Sequence, residues 1–418
     1  MRFIVTAPQR LTLPLSISLP ASKSLSNRAL VMQGLCDDVC RLTNLSDCDD
    51  TRVMLAAFDP DTSHHTFSTD GARIIDIGAA GTSMRFLTAY FASREGAEVL
   101  MTGSERMRQR PIGLLVDALR ALGADIDYAE TEGFPPLRIH GHQLQGGALT
   151  IDGSVSSQYI SALLMIAPTL TDGLRLTLSG RITSKPYIEM TLAMLREFGV
   201  ASTWDHDAQL ISIDPQAYQA HDYHVESDWS AASYWYEIAA LANSQISPSG
   251  ITLEGLHSES LQGDSAIVRH FAALTSNSKQ TLSLDLTTEP DLAQTVIATC
   301  CALGVHFCIT GLHTLRIKET DRVSALEQEL RKLGYVVTDR NVGTTIEMTW
   351  DGTRCPALDN PVIATYKDHR MAMAFAPLAL VQPDRSIVID DPAVVSKSYP
   401  HFWDDLRKAG FAISEAPS

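Results

Sequence analysis

Four segments of this 418-residue chain end in the same way: "VDALRALGADI" at Gly123, "LAMLREFGVAS" at Gly199, "LEQELRKLGYVV" at Gly334 and "WDDLRKAGFAI" at Gly410. In each, an amphipathic stretch reaches a basic last turn, meets Gly, and resumes with apolar residues. Gly tolerates the left-handed backbone that stops a helix, so the pattern predicts helix, stop and strand. The four glycines are spaced by 76, 135 and 76 residues, which makes the second pair a copy of the first displaced by 211. "SERMRQRPIGLLVDALRALG" (104–123) falls on "LRIKETDRVSALEQELRKLG" (315–334) at that displacement, and "TSKPYIEMTLAMLREFG" (183–199) matches "VSKSYPHFWDDLRKAG" (395–410), aligned at their Gly ends with one residue fewer in the second. A less similar helix, "DDTRVMLAAF" (49–58), is echoed by "GDSAIVRHFAAL" (263–274). One matched pair of helices would be ordinary amphipathic patterning. Several pairs at one displacement indicate a duplication, with three helix-strand units in each half.

Strand-like runs such as "GLRLTLSG", "TLSLDL" and "SIVIDD" alternate with these helices, so the fold class is α/β. A chain of this length exceeds what one core usually supports, and the duplication predicts two domains of similar fold. "RFIVTAP" and "LPLSISLP" precede the first helix as strands that belong to the other half. The expected domains are therefore 1–19 with 226–418, and 20–225, joined by a two-strand crossover hinge. The net charge of −16 argues against nucleic-acid binding, which needs a basic face. No apolar run approaches the roughly 18 residues of a membrane span, and the N-terminus lacks the apolar core of a signal peptide. Seven cysteines without a Cys-x-x-Cys pair fit reduced thiols in a cytoplasm and no zinc site.

In so acidic a chain, cations gathered at helix starts are informative, because helix N-termini already favour anions. "PASKSLSNRAL" (20–30) brings Lys23, Ser24 and Arg28 to one start, although a Ser cap with solvated cations explains it equally well. "GAAGTSMRF" (78–86) is a Gly-rich turn entering a helix around Gly81. "GSERMRQRPIG" (103–113) sets Arg106, Arg108 and Arg110 before Pro111, which is expected at the first helical position; three arginines there oppose the helix dipole unless anions bind. "SVSSQYISALL" (154–164) offers Ser156, Ser157 and Gln158 at another start, where Ser is also a routine cap. In the second half, "EPDLAQT" supplies Asp291, "LRIKETDRV" supplies Lys318, Glu319 and Arg322, "TYKDHRMAMAF" supplies Arg370, and the second Ser-Lys-x-Tyr supplies Lys397. Together they predict a site for polyanions built from helix starts, Arg and Lys.

These motifs, in order and nearly end to end, resemble the enolpyruvyl transferases of the shikimate pathway, the 3-phosphoshikimate 1-carboxyvinyltransferases or 5-enolpyruvylshikimate-3-phosphate synthases. The resemblance implies two inside-out α/β domains of three repeats each. It implies transfer of the enolpyruvyl group of phosphoenolpyruvate to the 5-hydroxyl of shikimate 3-phosphate, with release of phosphate, by a monomer that needs no cofactor or metal. Ser24, Arg28, Ser156, Ser157, Ser184, Tyr187 and Lys318 would hold shikimate 3-phosphate, with Gln158 between the substrates. Lys23, Gly81, Arg110, Arg322, Arg370 and Lys397 would hold phosphoenolpyruvate. Asp291 would be the base for the 5-hydroxyl, Glu319 would give and retake the methyl proton, and Lys23 would stabilise the leaving phosphate. Many members are inhibited by glyphosate at the phosphoenolpyruvate site, where Gly81 is expected to leave room that a methyl group would fill.

The sequence departs from the family pattern at Ala21, Ala79, Thr314 and Lys367, which bears on affinity rather than on the reaction. A paralogous enzyme that acts on a UDP-amino sugar usually carries Cys in the loop matching 103–111, and this loop has none. A non-catalytic anion-binding protein would not need Lys23, Asp291 and Glu319.

Overall fold

The fold comes from a computed structural model, which describes residues 1–416 apart from 60, 62, 64, 155, 245, 247–249 and 277–280. Its chain divides into an inserted unit, Ala21–Glu226, and a terminal unit, Met1–Pro20 with Ser227–Ser418. The crossings lie one residue beyond the boundaries expected from the sequence. The inserted unit holds helices α1 (Lys23–Leu35), α2 (Asp49–Phe58), α3 (Gly81–Ala92), α4 (Glu105–Arg108), α5 (Gly113–Ala121), α6 (Ser157–Ile166) and α7 (Lys185–Glu197). The terminal unit holds α8 (Trp229–Leu241), α9 (Ile267–Ser276), α10 (Ala293–Leu303), α11 (Arg322–Lys332), α12 (His369–Phe375) and α13 (Phe402–Lys408).

All four predicted stops are present. Gly123, Gly199, Gly334 and Gly410 have φ of 104°, 76°, 88° and 101°, and strands begin shortly afterwards at Asp125, Thr203, Thr338 and Ala412. Only a residue without Cβ takes this backbone at little cost. Around these stops, four sheets follow one plan: a parallel pair joined through a helix, then two antiparallel strands. Arg73–Asp76 and Glu98–Thr102 flank α3, and Leu137–His140 and Asp125–Tyr128 extend them. Gly147–Asp152 and Leu174–Ser179 flank α6, followed by Leu210–Ile213 and Thr203–Asp205. Leu282–Asp285 and Phe307–Thr310 flank α10, followed by Thr345–Trp350 and Thr338–Val342. In the last sheet Val362–Ile363 and Ser386–Asp390 flank α12, and the next strand is Arg2–Thr6 from the beginning of the chain, backed by Ala412–Glu415.

The remaining strands are exchanged between the halves. Leu15–Ser18 leads into α1 but pairs with Ile251–Glu254, which follows α8. Tyr223–His224 leads into α8 but pairs with Leu42–Thr43, which follows α1. Helices occupy the interior of each unit. In α6 every residue from Tyr159 to Ile166 is buried, as is every residue of α10 from Ala293 to Cys301 and all of α12. Helices so apolar around their circumference must be enclosed, and α1, α3 and α6 pack on one another, as do α8, α10 and α12. Their N-termini carry the candidate site residues.

One buried group inside the terminal unit has no part in that site. Glu237 of α8 is 0% exposed, and burial pushes its carboxyl well above the ordinary value, with the Thr299 hydroxyl offsetting this only partly. The folded protein therefore keeps a proton that the unfolded chain releases above pH 4.5, the ordinary value for the group. Stability falls by about 1.4 kcal/mol per pH unit from there until Glu237 ionises in the folded state. Glu237→Gln removes this slope: the variant should match the parent near pH 4 and exceed it in stability at pH 7. Urea unfolding across that range measures the difference, and parallel curves for the two proteins would refute it.

Candidate active site

In the inserted unit, the cations sit where helices begin. Ser22 caps α1, and Lys23 in its first turn pairs with Asp50 of α2 at 3.2 Å. The Ser83 hydroxyl of α3 donates to the Asp50 carbonyl at 3.0 Å, so the starts of α1, α2 and α3 converge. One turn into α1, Arg28 is 2% exposed. Its Nε donates to Thr191 at 2.8 Å, Nη1 to the Ser24 carbonyl at 2.9 Å, and Nη2 to Ser161 at 2.9 Å and the Tyr187 carbonyl at 3.4 Å. These acceptors are all neutral, and among the described residues no carboxylate pairs with Arg28. Burial without a counter-ion pulls its pKa down to about 10, with Tyr187 and Tyr223 acting in the other direction. A buried guanidinium without a counter-charge is costly, and an incoming anion relieves that cost.

A second group surrounds the Gly-rich turn. Arg85 of α3 donates to the Gly81 carbonyl at 3.0 Å and to the Pro111 carbonyl at 3.2 Å, while the Tyr159 hydroxyl donates to the same Pro111 carbonyl at 2.6 Å. The loop carrying Arg110 is thereby fixed against the start of α3. The space expected beside Gly81 is filled: a Cβ there would lie 2.5 Å from Arg110 Nη1. A methyl group would displace the guanidinium instead of entering a void. Gln158 reaches the same turn by donating to Thr82 Oγ1 at 3.1 Å.

Two expectations about these loops need correction. Pro111 is not the first helical residue of α5; it precedes the cap Ile112. Arg106 and Arg108 do not oppose a helix dipole, because they occupy the last turn of α4, where basic residues are favourable, and Arg108 also pairs with Glu130 at 3.1 Å. Of the three arginines, Arg110 alone faces Gly81. Ser156 is a cap for α6, accepting from the Gln158 N–H at 3.4 Å, and remains exposed beside the half-buried Ser157. Ser184 precedes α7 in a left-handed conformation, φ 51°, which costs a non-Gly residue about 1 kcal/mol.

The terminal unit assembles its six candidates into one ion-pair network. Arg322, 1% exposed at the start of α11, donates to Asp291 at 2.9 Å, to Glu319 at 3.0 Å and to Asp368 at 2.7 Å. Asp291 also meets Lys318 at 3.5 Å and Arg370 at 3.0 Å, and Glu319 meets Lys397 at 3.3 Å. Burial works against ionising Asp291, but Arg370, Lys318 and Arg322 together outweigh it and hold the carboxyl well below the usual range. The turn that presents Asp291, Pro290–Leu292, is tied to α9 by the buried Glu289, which accepts from His270 at 2.8 Å and Arg269 at 3.0 Å. Among the described residues, no group of three or more His, Cys, Asp or Glu side chains is arranged to hold a metal.

The two Ser-Lys-x-Tyr copies have diverged in use. In the first, Lys185 pairs outward with Glu189 at 3.3 Å, while Tyr187 packs near Arg28. In the second, Lys397 turns in to Glu319, and Tyr399 is a core residue bonded to Asp405 at 2.7 Å and Trp235 at 3.2 Å. Several supporting residues were not singled out from sequence: Asp50, Arg85, Ser161, Thr191 and Glu289. Ser161 and Thr191 had a signal, since each is a polar residue within an otherwise apolar helix face. Asp50 had only its place in an acidic first turn.

Fold and clusters define a two-unit α/β protein that collects cations and carboxylates at helix starts for anionic substrates. Residues 5–406 match the sequence profile of the family described as EPSP synthase (3-phosphoshikimate 1-carboxyvinyltransferase). A 3-phosphoshikimate 1-carboxyvinyltransferase of Bacteroides fragilis (strain YCH46) is 51% identical over 430 residues, covering 99% of each chain. One of Edwardsiella ictaluri (strain 93-146) is 39% identical, covering 93% of this chain and 94% of its own. In fold, the chain is similar to EPSP synthase from Acinetobacter baumannii, with a TM-score of 0.74 at 21% identity over the whole of both chains. The chain belongs to the EPSP synthase family.

Asp368 is 0% exposed, and besides holding Arg322 it caps α12 by accepting from the Arg370 N–H at 3.0 Å. Asp368→Ala leaves Arg322 buried with its charge less compensated and α12 uncapped. A loss of about 3 kcal/mol is expected, near the lower end for breaking a buried pair. Urea unfolding tests this, and a loss under about 1 kcal/mol would place the anchor elsewhere.

Proposed function

We infer that this chain transfers the enolpyruvyl group of phosphoenolpyruvate to the 5-hydroxyl of shikimate 3-phosphate, releasing phosphate, as a step of aromatic amino-acid biosynthesis. The observation that carries the residue assignment is Arg322, which holds the Asp291 and Glu319 carboxylates at 2.9 and 3.0 Å on one guanidinium. The reaction needs two such groups. One removes the hydroxyl proton as oxygen bonds to C2 of phosphoenolpyruvate. The other delivers a proton to C3, then takes one back as the C2–O bond to phosphate breaks.

Asp291 is suited to the first task, because its cations keep it ionised. Glu319 is assigned the second. It faces Arg322 at 3.0 Å and Lys397 at 3.3 Å. The carboxylate and phosphate of phosphoenolpyruvate compete for those cations, and a carboxylate relieved of them accepts a proton more readily. Arg370, Lys397, Arg322, Arg110, Lys23 and the Gly81 turn are assigned to phosphoenolpyruvate. Arg28, Ser24, Ser156, Ser157, Ser184, Tyr187 and Lys318 are assigned to shikimate 3-phosphate, with Gln158 shared. Lys23, paired with Asp50, supports charge on the leaving phosphate. The need for so many cations follows from the substrates: two like charges 4 Å apart repel by about 4 kcal/mol at an effective dielectric of 20. A monomer in the cytoplasm is part of the same proposal.

Phosphate release from phosphoenolpyruvate, measured with shikimate 3-phosphate or with UDP-N-acetylglucosamine as acceptor, tests the reaction. Release with the first acceptor alone is expected; release with the second alone would assign the chain to the paralogous reaction. Glu319→Gln should retain shikimate 3-phosphate binding while turnover drops by about 100-fold or more. Turnover within a few-fold of the parent would remove Glu319 from the chemistry.

A further inference from the structure

Asp264 lies outside the site described above and touches none of the residues assigned to substrate except through one intermediary. It sits in the turn Gly263–Ala266 that leads into α9, with 5% of its surface exposed. One carboxylate oxygen, Oδ2, accepts a hydrogen bond from the Ser230 hydroxyl in the first turn of α8. The other, Oδ1, is buried without a hydrogen-bond partner among the described residues. Ser230 Oγ in turn accepts from Arg370 Nη2 at 3.3 Å, and that same nitrogen donates to Asp291 Oδ2 at 3.0 Å. Arg370 Nη1 lies 3.4 Å from the Tyr234 hydroxyl, one helical turn along α8. One guanidinium edge is thus aimed by two acceptors, a carboxylate and a serine hydroxyl, and the serine is itself oriented by Asp264.

We propose that Asp264 is a positioning residue for the enolpyruvyl transfer, acting through Ser230 to set where the Arg370 guanidinium points. The proposal rests on the assignment of Arg370 to phosphoenolpyruvate. A hydroxyl that donates to Asp264 must present its lone pair to Arg370, so the Ser230 rotor has one useful setting. Without that setting, Asp291 takes the larger share in orienting Arg370 Nη2, and the base and the substrate anion would compete for one cation.

The charge of Asp264 also bears on the site. The charged groups facing it are Asp228 at the cap of α8, Asp291 in the turn Pro290–Leu292 and Arg370 at the start of α12, and Arg370 is itself repelled by Arg322. Burial, then the Asp291 charge, push the Asp264 carboxyl up to about 7, while Arg370 and the Ser230 hydroxyl pull against them. Below that pH Asp264 is neutral and only orients Ser230. Above it, a third carboxylate charge draws on Arg370 and repels an arriving phosphoenolpyruvate.

The test compares Michaelis constants of the full-length enzyme for each substrate between pH 6 and 8.5. Asp264→Asn keeps an acceptor for Ser230 and cannot ionise. It should match the parent at pH 6, and its KM for phosphoenolpyruvate at pH 8.5 should lie about 10-fold below that of the parent. Ser230→Ala severs the link and should raise KM for phosphoenolpyruvate by about 5-fold or more at every pH, leaving that for shikimate 3-phosphate within about 2-fold. Parallel pH profiles for Asp264→Asn and the parent would overturn the proposal, as would equal changes in both KM values for Ser230→Ala. If Asp264→Asn does not fold, the KM split in Ser230→Ala decides alone. A parent that releases no phosphate with shikimate 3-phosphate would defeat the reaction assignment instead, and so the two failures are distinguishable.

Discussion

The Arg322 guanidinium, buried at the start of α11 and shared by Asp291, Glu319 and Asp368, is the interaction on which the terminal unit's chemistry depends. Taking a guanidinium out of water is expensive, and one carboxylate seldom compensates for it. Three carboxylates do so here, which leaves Asp291 and Glu319 oriented by the cation they neutralise. Asp368 differs from the other two: it is fully enclosed and spends its second role on capping α12. The network therefore has a fixed anchor and two carboxylates on its open side, each also reached by cations from other helices. The inserted unit is arranged differently. Arg28 is enclosed by neutral acceptors only, so its charge is met by orientation of hydroxyls and carbonyls. Arg322 is thus neutralised by carboxylates, whereas Arg28 is surrounded by dipoles alone among the described residues.

Much of the fold could be read in advance because its signals are local. A glycine after a basic turn needs no tertiary information, and a displacement of 211 residues that recurs in several segments is visible by inspection. The strands of the first twenty residues were also legible as belonging with the second half. What could not be read was the detail of loops. Pro111 looked like a helix start, but Arg85 and Tyr159 both bind its carbonyl and hold it one step outside α5. Those partners lie 26 and 48 residues away, beyond any local rule.

The site was legible as a set of residue types and obscure as a geometry. Cations at helix starts in an acidic chain drew attention to Lys23, Arg28, Arg322, Arg370 and Lys397 as candidates. The residues that orient them were missed, because a serine or threonine in a helix has many uses. Ser230 reads as an ordinary residue after an Asp cap, and Asp264 as an acid in a turn. The two Ser-Lys-x-Tyr copies were expected to serve different substrates, through Ser184 and Tyr187 in one and Lys397 in the other, and their remaining side chains differ too: Lys185 faces outward and Tyr399 belongs to the core. Duplication preserved the scaffold of these segments and released their side chains to separate uses.

The strand Arg2–Thr6 pairs with Ser386–Asp390, some of the largest sequence separations the chain allows. During synthesis the inserted unit emerges complete, with every strand of its two large sheets available between Thr66 and Ile213. The terminal unit is in the opposite position: its first strand leaves the ribosome before any other and must wait for nearly the whole chain before its partner exists. Pairings of such separation are slow to close, and an unpaired strand is exposed meanwhile. Within Arg2–Thr6 only Val5 becomes fully enclosed, and Arg2 and Thr6 are polar. Phe3, Ile4 and Val5 are nonetheless apolar, so this strand carries aggregation-prone surface through that wait, with only Arg2 and Thr6 to keep its ends in water.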